Sequence, residues 1–411
     1  MDLRAAEPAL ASDPRRHGRP VLAALLLVAA SVWTVALALL LDSGPIDLID
    51  LQVYRTGGQA WSNGQPLYDP AFPAPLPGPP LPFTYPPLAA VLFAGLAVLP
   101  WPVAVAVLVA SGLAGLVAAS WLTTDRLAGG RMRVAMLTAA AVAIAPLLEP
   151  VRETLSFGQI NLLLLGVIAA DCLLPRTPWP RGMLIGLAAA VKLTPLAFVL
   201  FFVARRQWRP VLVAAGTFVG AGLVGWLLAP SDTREYWLGA LLDPGRIGRL
   251  EFASNQSIRG LLHRFDLPAG VESLSWLALC AAVGVLALIG IAGLRDRGDE
   301  VGALLVTAAA VLLVSPVSWS HHWVWVPLGL LWLGVFAWRR RSTALAALTT
   351  LVAAVFVASP HWWHPYRDGR EWSWVWWQHL VGNAYFWCAM AVVLVAAATS
   401  GSVRSMRGRQ G

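Results

Sequence analysis

Long apolar stretches alternate with short polar ones along almost the whole chain. Apolar runs lie near residues 20–41, 86–99, 101–122, 134–148, 159–174, 182–204, 210–228, 272–294, 301–314, 322–337, 343–358 and 378–398. A helix of about twenty such residues spans a hydrocarbon core of roughly 30 Å, so the pattern predicts an all-α polytopic membrane protein. Two stretches do not read as simple crossings. Residues 84–122 are interrupted by Pro100-Trp101-Pro102, and residues 182–204 by Lys192-Leu193-Thr194-Pro195. Breaks of this kind are tolerated where backbone is buried in protein or lines a cavity, so each is expected to be a broken or re-entrant pair. The expectation is ten full spans plus short helices, or about twelve helices by conventional counting. With no fixed-period repeat and no low-complexity segment, residues 1–411 read as a single integral membrane domain.

The polar segments carry an orientation signal. Arginines cluster in the N-terminus, at Arg126, Arg131 and Arg133, at Arg176 and Arg181, at Arg205, Arg206 and Arg209, at Arg295 and Arg297, at Arg339, Arg340 and Arg341, and in the C-terminus. Short arginine-rich loops face the cytoplasm, which puts both termini inside and predicts a multi-pass protein of the plasma membrane. Residues 42–85, 149–158, 230–271, 315–321 and 359–377 then lie outside. They hold most of the acids, histidines and loop tryptophans. The first apolar run is long enough to be a retained span and not a signal peptide. The external loops 42–85 and 230–271 are long enough to be functional, and 359–377 is rich in tryptophan.

Composition agrees. A chain of 411 residues with 58% hydrophobic and 13% charged residues and a mean hydropathy of +0.65 has the bilayer as its solvent. The net charge of +8 sits in loop clusters instead of one stripe, which argues for topology and against a nucleic-acid partner. The three cysteines, Cys172, Cys280 and Cys388, fall in separate apolar runs and suggest neither disulfides nor a metal site.

The first external loop holds the densest candidate chemistry: Asp42, Asp47 and Asp50, the run Asp50-Leu51-Gln52-Val53-Tyr54-Arg55, and Pro82-Phe83-Thr84-Tyr85-Pro86-Pro87. Asp47 and Asp50 share a face at i, i+3 spacing, and either could be a general base or a helix cap. Asp42, beside Ser43-Gly44-Pro45, reads as a turn residue. Lys192 is the chain's one lysine, set in an apolar run where an ammonium needs an anionic partner or an interface to reach. Gln159 and Asn161 open a span and could bind sugar or cap a helix. They follow Glu149, Arg152 and Glu153, whose charges are expected to face the external vestibule. Asn255, Gln256 and Arg259 could clamp a phosphate or order their loop. His321 and His322 lack the companion spacing of a zinc site, so a phosphate or sugar contact competes with a purely interfacial role. Six tryptophans between residues 362 and 377 form either an interfacial belt or a stacking wall for sugar or polyprenyl.

Several strings together resemble the polyprenol-phosphate-mannose-dependent α-mannosyltransferases of mycobacteria and relatives, within glycosyltransferase family 87. They are Asp50-Leu51-Gln52-Val53-Tyr54, Gly64-Gln65-Pro66-Leu67-Tyr68, Leu81-Pro82-Phe83-Thr84-Tyr85-Pro86-Pro87, Gly158-Gln159-Ile160-Asn161, Ile185-Gly186-Leu187-Ala188-Ala189-Ala190-Val191-Lys192-Leu193-Thr194-Pro195, Asn255-Gln256-Ser257-Ile258-Arg259-Gly260 and Ser315-Pro316-Val317-Ser318-Trp319-Ser320-His321-His322-Trp323. The resemblance implies a GT-C fold with a cavity open to the periplasmic side. It implies that Asp50 is the catalytic base and that His321 or His322 is an active-site residue; together with the residues read above, the candidate substrate-binding set is Tyr54, Arg55, Tyr85, Gln159, Asn161, Lys192, Asn255, Gln256, Arg259, His321 and His322. It implies as partners a polyprenyl-phosphate-linked sugar donor, a glycolipid acceptor of the phosphatidylinositol mannoside, lipomannan or lipoarabinomannan type, and the lipid bilayer. The scheme it suggests is in-line attack with inversion, with no cofactor and no metal. The acceptor itself is not read from these strings; residues 69–80 and 359–377 are expected to contact it. Two other readings stand beside this one: arabinosyl transfer from an arabinosyl phosphoryl polyprenol, and a lipid or sugar transporter, although the inverted repeat many transporters show is not visible.

Overall fold

The structure is a computed structural model and describes residues 14–42, 48–70, 72–73 and 81–407. Asp47, and most of the 69–80 segment expected to meet the acceptor, lie outside the described residues. The α-helices are α1 Pro14–Asp42, α2 Ile49–Ser62, α3 Pro87–Ala97, α4 Trp101–Leu127, α5 Arg131–Ile144, α6 Glu149–Phe157, α7 Asn161–Leu173, α8 Met183–Val191, α9 Val199–Ala204, α10 Trp208–Leu228, α11 Pro230–Leu238, α12 Ile258–His263, α13 Ala269–Asp296, α14 Glu300–Val314, α15 Val326–Arg340, α16 Thr343–Ala358, α17 Trp376–Gly382 and α18 Ala384–Arg407. Among the described residues the extended pairing is a single antiparallel bridge between Asn255 and Trp319. The chain is an all-α, multi-pass membrane protein.

Both expected interruptions are present. α3 stops before Pro100, and α4 restarts with Trp101-Pro102 in its first turn. α8 stops at Lys192, whose backbone is extended, and a 3₁₀ turn Thr194–Phe198 carries the chain into α9; proline disfavours helix in the residue before it and cannot donate to the turn behind it. Among the described residues, the apolar helices fall into long and short ones. By length and composition four helices could cross a membrane: Arg19–Asp42, Trp101–Leu127, Trp208–Leu228 and Ala269–Asp296. Two bent pairs could add one span each: Arg131–Leu147 with Glu149–Phe157, at 69°, and Trp376–Gly382 with Ala384–Ser400, at 70°. The other apolar helices are short. α14 has 15 residues, about 22 Å at the α-helical rise, but it is buried along nearly its whole length, whereas α10 buries only Ala214 and Gly225. The short helices can therefore rely on protein neighbours to satisfy their ends.

The arginine-rich loops meet at one end. Glu300 bridges Arg126 (3.4 Å) and Arg205, Arg295 donates to the Ala204 carbonyl (3.2 Å), Arg126 Nε donates to the Leu173 carbonyl (2.9 Å), and Arg339 reaches the carbonyl of Leu127. Residues 149–161, 253–257, 318–321 and 361–385 likewise contact one another at the other end, through Thr154, Asn161, Asn255, Gln256 and Glu149.

Close helix contacts place the elements that matter for chemistry. A Cβ on Gly58 of α2 would lie 2.5 Å from the Ala94 amide nitrogen of α3, so the two helices touch backbone to backbone. α4 and α7 do the same through Gly115 and Gly166, where a Cβ on Gly166 would lie 2.5 Å from Gly115 Cα. Small residues permit such approach where lipid offers no hydrophobic drive for helix association.

Candidate active site

Helix α2 begins just after Leu48, which is buried with Leu51. Anchoring this apolar edge leaves Asp50 and, one turn on, Tyr54 on a common face. Tyr54 is fully buried; its ring stacks on Phe93 of α3 with centroids 4.3 Å apart. Its hydroxyl donates to Gln159 Oε1 at 2.8 Å and lies 3.2 Å from the Tyr85 hydroxyl. Tyr85 is fixed in turn by Tyr68, which donates to its carbonyl at 2.6 Å, and by the rigid Pro86-Pro87 pair that opens α3.

Gln159 sits at a sharp junction. α6 ends on Gly158 in the left-handed region, φ 69°, where a Cβ would lie 2.8 Å from Leu51 Cβ. Glycine thus allows both the turn and the approach of α2. Asn161 opens α7, and both amides are buried.

Lys192 arrives from the break after α8. Its Nζ donates to Asn161 Oδ1 at 2.8 Å and to Gln159 Oε1 at 3.4 Å, and lies 5.8 Å from the Tyr85 ring centroid. Where an anionic partner or an interface was expected, the ammonium meets a pair of amide oxygens, and the Asp50 charge acts on it as well. His321 belongs to the 3₁₀ turn Ser320–His322; its carbonyl accepts from Thr154 Oγ1 (2.8 Å) and Asn161 Nδ2 (2.9 Å). Its ring packs edge-on against Phe157 and His322, and both ring nitrogens are buried without a hydrogen-bond partner. Lys192 is within electrostatic reach of both histidines.

Asp50 faces this group. Burial raises its carboxyl to about 6, against the opposing pull of a Gln159 hydrogen bond and the Lys192 charge. Asp50, Lys192 and His322 are each only partly covered, so the cluster has an open side. Asp50, Tyr54, Tyr85, Gln159, Asn161, Lys192, His321 and His322 thus come together from five separate parts of the chain. Among the described residues no three His, Cys, Asp or Glu side chains converge as a metal site requires.

Four other expected residues are engaged elsewhere. Arg55 donates to the carbonyls of Leu96 and Leu99, both at 2.7 Å, and lies over Trp101, so it clamps the α3–α4 turn. Arg259 pairs with Glu272 (3.5 Å) and covers Trp276. Asn255 accepts from the Ser318 amide (3.0 Å) and donates to the Leu250 carbonyl (3.0 Å). Gln256 donates to the carbonyls of Ala253 and Gly382, both at 2.8 Å. These two amides brace the loop that presents His321.

Glu149, expected to face the vestibule, is instead fully buried. It accepts from Tyr385 (3.0 Å) and Trp362 (3.3 Å) and approaches His361 Nε2 at 3.4 Å. Thr154 also escaped sequence reasoning, since a threonine in an amphipathic helix gives no hint that its hydroxyl will hold a distant backbone carbonyl.

Residues 83–316 match Glycosyltransferase family 87. A polyprenol-phosphate-mannose-dependent alpha-(1-2)-phosphatidylinositol mannoside mannosyltransferase of Mycolicibacterium smegmatis is 43% identical, over 86% of this chain and 84% of its own length. The protein of the same description from Mycobacterium tuberculosis is 38% identical over 93% and 92%. A polyprenol-phosphate-mannose-dependent alpha-(1-2)-phosphatidylinositol pentamannoside mannosyltransferase of M. smegmatis is 36% identical over 76% and 75%. The chain belongs to glycosyltransferase family 87.

Proposed function

We propose that this protein transfers mannose from a polyprenol-phosphate-mannose donor to a phosphatidylinositol mannoside, forming an α-(1-2) bond on the outer face of the plasma membrane with both termini in the cytoplasm. The observation that carries the reading is the Asp50 group: a carboxyl raised to about 6 beside a lysine and two buried amides, in a chain whose relatives are named for this reaction.

Asp50 would take the proton of the acceptor hydroxyl as its oxygen bonds to the anomeric carbon and the bond from that carbon to the phosphate oxygen breaks. A β-linked donor would then give an α-linked product with inversion. The departing lipid phosphate leaves as an anion and needs no proton, so the chain's task is placement and charge. Lys192 supplies charge to the group, and His322, which is only partly covered, offers its ring to phosphate or sugar. Tyr54, Tyr85 and Gln159 hold one another and so fix the wall against which the sugar would lie.

The test is transfer itself. Purified protein in lipid nanodiscs receives radiolabelled polyprenyl-phosphate mannose or the corresponding arabinose donor, with phosphatidylinositol mannoside as acceptor. The expected product is a labelled glycolipid from the mannose donor, released by an α-(1-2)-mannosidase. Label from the arabinose donor, or movement of intact donor across the bilayer without a new bond, would overturn the reading.

A further inference from the structure

The loop after α16 contains more than a row of tryptophans. His364, Pro365, Tyr366, Arg367 and Arg370 line an open cavity of about 260 Å³. Its rim turns through three consecutive left-handed residues, Arg367 (φ 71°), Asp368 (55°) and Gly369 (76°), a conformation that non-glycine residues hold only when their surroundings enforce it. Glu371 enforces it here, being buried and accepting from the amides of Arg367 (3.0 Å) and Ala253 (3.3 Å).

The turn presents two guanidinium groups. Arg370 is laid along the rim by donating to the Tyr366 carbonyl at 2.8 Å, and Arg367 lies beside the Tyr366 ring. Neither is paired with a carboxylate among the described residues, whereas Arg249 and Arg259 at the same end are paired with Glu251 and Glu272. His364 is 6% exposed, and its Nε2 is buried with no hydrogen-bond partner. Two arginines held only by backbone carbonyls and a ring, with no carboxylate partner, suit an anion with several acceptor oxygens, and arginine's planar fork fits phosphate. The volume is below the usual range of roughly 300–1,000 Å³ for a drug-sized ligand, which fits a headgroup better than a glycan.

Its surroundings point to a lipid. Trp363, Trp376 and Trp377 on the same stretch are 64%, 75% and 46% exposed, as an aromatic belt at headgroup level would be. One wall connects the cavity with the Asp50 cluster: Tyr366 packs on Phe252 (6.2 Å), Phe252 packs on Trp319 (6.0 Å), and Trp319 leads into the turn that carries His321. Resting on the mannosyl-transfer reading, we infer that this cavity binds the phosphodiester of the acceptor glycolipid and so sets how far along its glycan the reacting hydroxyl lies.

The experiment uses the whole protein in phosphatidylcholine nanodiscs and compares two acceptors, phosphatidylinositol mannoside and an alkyl mannoside that lacks phosphate. Replacing both arginines, Arg367→Gln with Arg370→Gln, should raise the KM for the phosphodiester acceptor by roughly tenfold or more, the loss expected for charge-assisted hydrogen bonds. The KM values for the alkyl mannoside and for the donor should move less than about twofold. An unchanged KM for phosphatidylinositol mannoside, or equal shifts for both acceptors, would overturn the assignment while leaving mannosyl transfer intact. Moving the protein from phosphatidylcholine nanodiscs to micelles of an alkyl maltoside, which carries no phosphate, separates the two sources of phosphodiester. The gap in KM between the unaltered protein and the variant should persist there, whereas a gap that disappears would show that bulk lipid occupies the cavity and would remove the acceptor assignment. If the unaltered protein transfers mannose to neither acceptor, the functional reading fails, and this inference with it.

Discussion

Asp50 is held where its charge is costly, and that cost has two measurable consequences. A base with a pKa of about 6 is largely ionised at neutral pH yet basic enough to accept a proton in the transition state. Transfer should therefore fall on an acid limb centred near pH 6, as the carboxyl becomes protonated. Asp50→Asn should lower kcat by about 10²- to 10⁴-fold, the usual worth of a general base, with donor binding retained. Stability runs the other way. The folded pKa is raised from 3.8, so the group's stabilising contribution is complete below about pH 4 and is lost as pH rises through 6. At pH 7.5 the ionised carboxylate costs the fold up to about 3 kcal/mol, at about 1.4 kcal/mol per unit. The Asn variant should thus melt higher than the unaltered protein at pH 7.5, with the gap closing below pH 4. A variant that turns over normally and melts lower would remove both the base assignment and its physical cause. Sequence reasoning reached this cluster because each member stands out locally: the one lysine of the chain, an Asp in an aromatic tract, paired amides at a helix start. It did not separate them from Arg55, Arg259, Asn255 and Gln256, two cations and two amides that stand in equally polar local settings. Whether an amide faces a cluster or a carbonyl depends on partners such as Leu250 and Gly382, and no local pattern reports those.

Between elements, backbone-to-backbone contacts decide whether the cluster assembles. α2 carries Asp50 and Tyr54, and its seat on α3 depends on Gly58, where any Cβ would collide with the Ala94 backbone. Gly95 on α3 is a matched control, because a Cβ there would meet nothing within 4 Å. Gly58→Ala should push α2 off α3, loosen the Tyr54–Phe93 stack, cost about 1–3 kcal/mol by overpacking and reduce transfer sharply; Gly95→Ala should leave both melting and transfer close to the unaltered values. Equal behaviour of the two variants would mean that α2 is not held by this contact. The same scale shows what was legible in the fold. The breaks at Pro100 and at 192–195 are written in proline and could be placed from sequence. The 69° bend before α6 was expected to be plain external loop, because the groups that hold Glu149 at the bend, Trp362 and Tyr385, come from more than 200 residues further along the chain.

Over the whole molecule, the two ends of the bundle differ in how their charges are used. At one end Arg126 and Arg205 share Glu300, while Arg295 and Arg339 cap the carbonyl ends of neighbouring helices. The other end also carries arginines, but Arg249, Arg259 and Arg264 are taken up by Glu251, by Glu272 and by backbone carbonyls with Asn383. The positive-inside rule counts cations in short loops and gives little weight to acids, so the first end is expected in the cytoplasm and the Asp50 cluster outside. Orientation is decisive for the proposed chemistry, because a donor presented on the outer leaflet cannot meet a base on the inner one. Single cysteines test it: Asn63→Cys follows α2 at the cluster end, and Gly129→Cys lies in the exposed α4–α5 turn at the arginine end, while the native Cys172, Cys280 and Cys388 sit within helices. In intact cells a membrane-impermeant maleimide should label position 63 directly and position 129 only after lysis. The reverse pattern would place Asp50 on the cytoplasmic side, and the reaction would then need a donor facing inward, which the external-loop reading of residues 42–85 cannot supply.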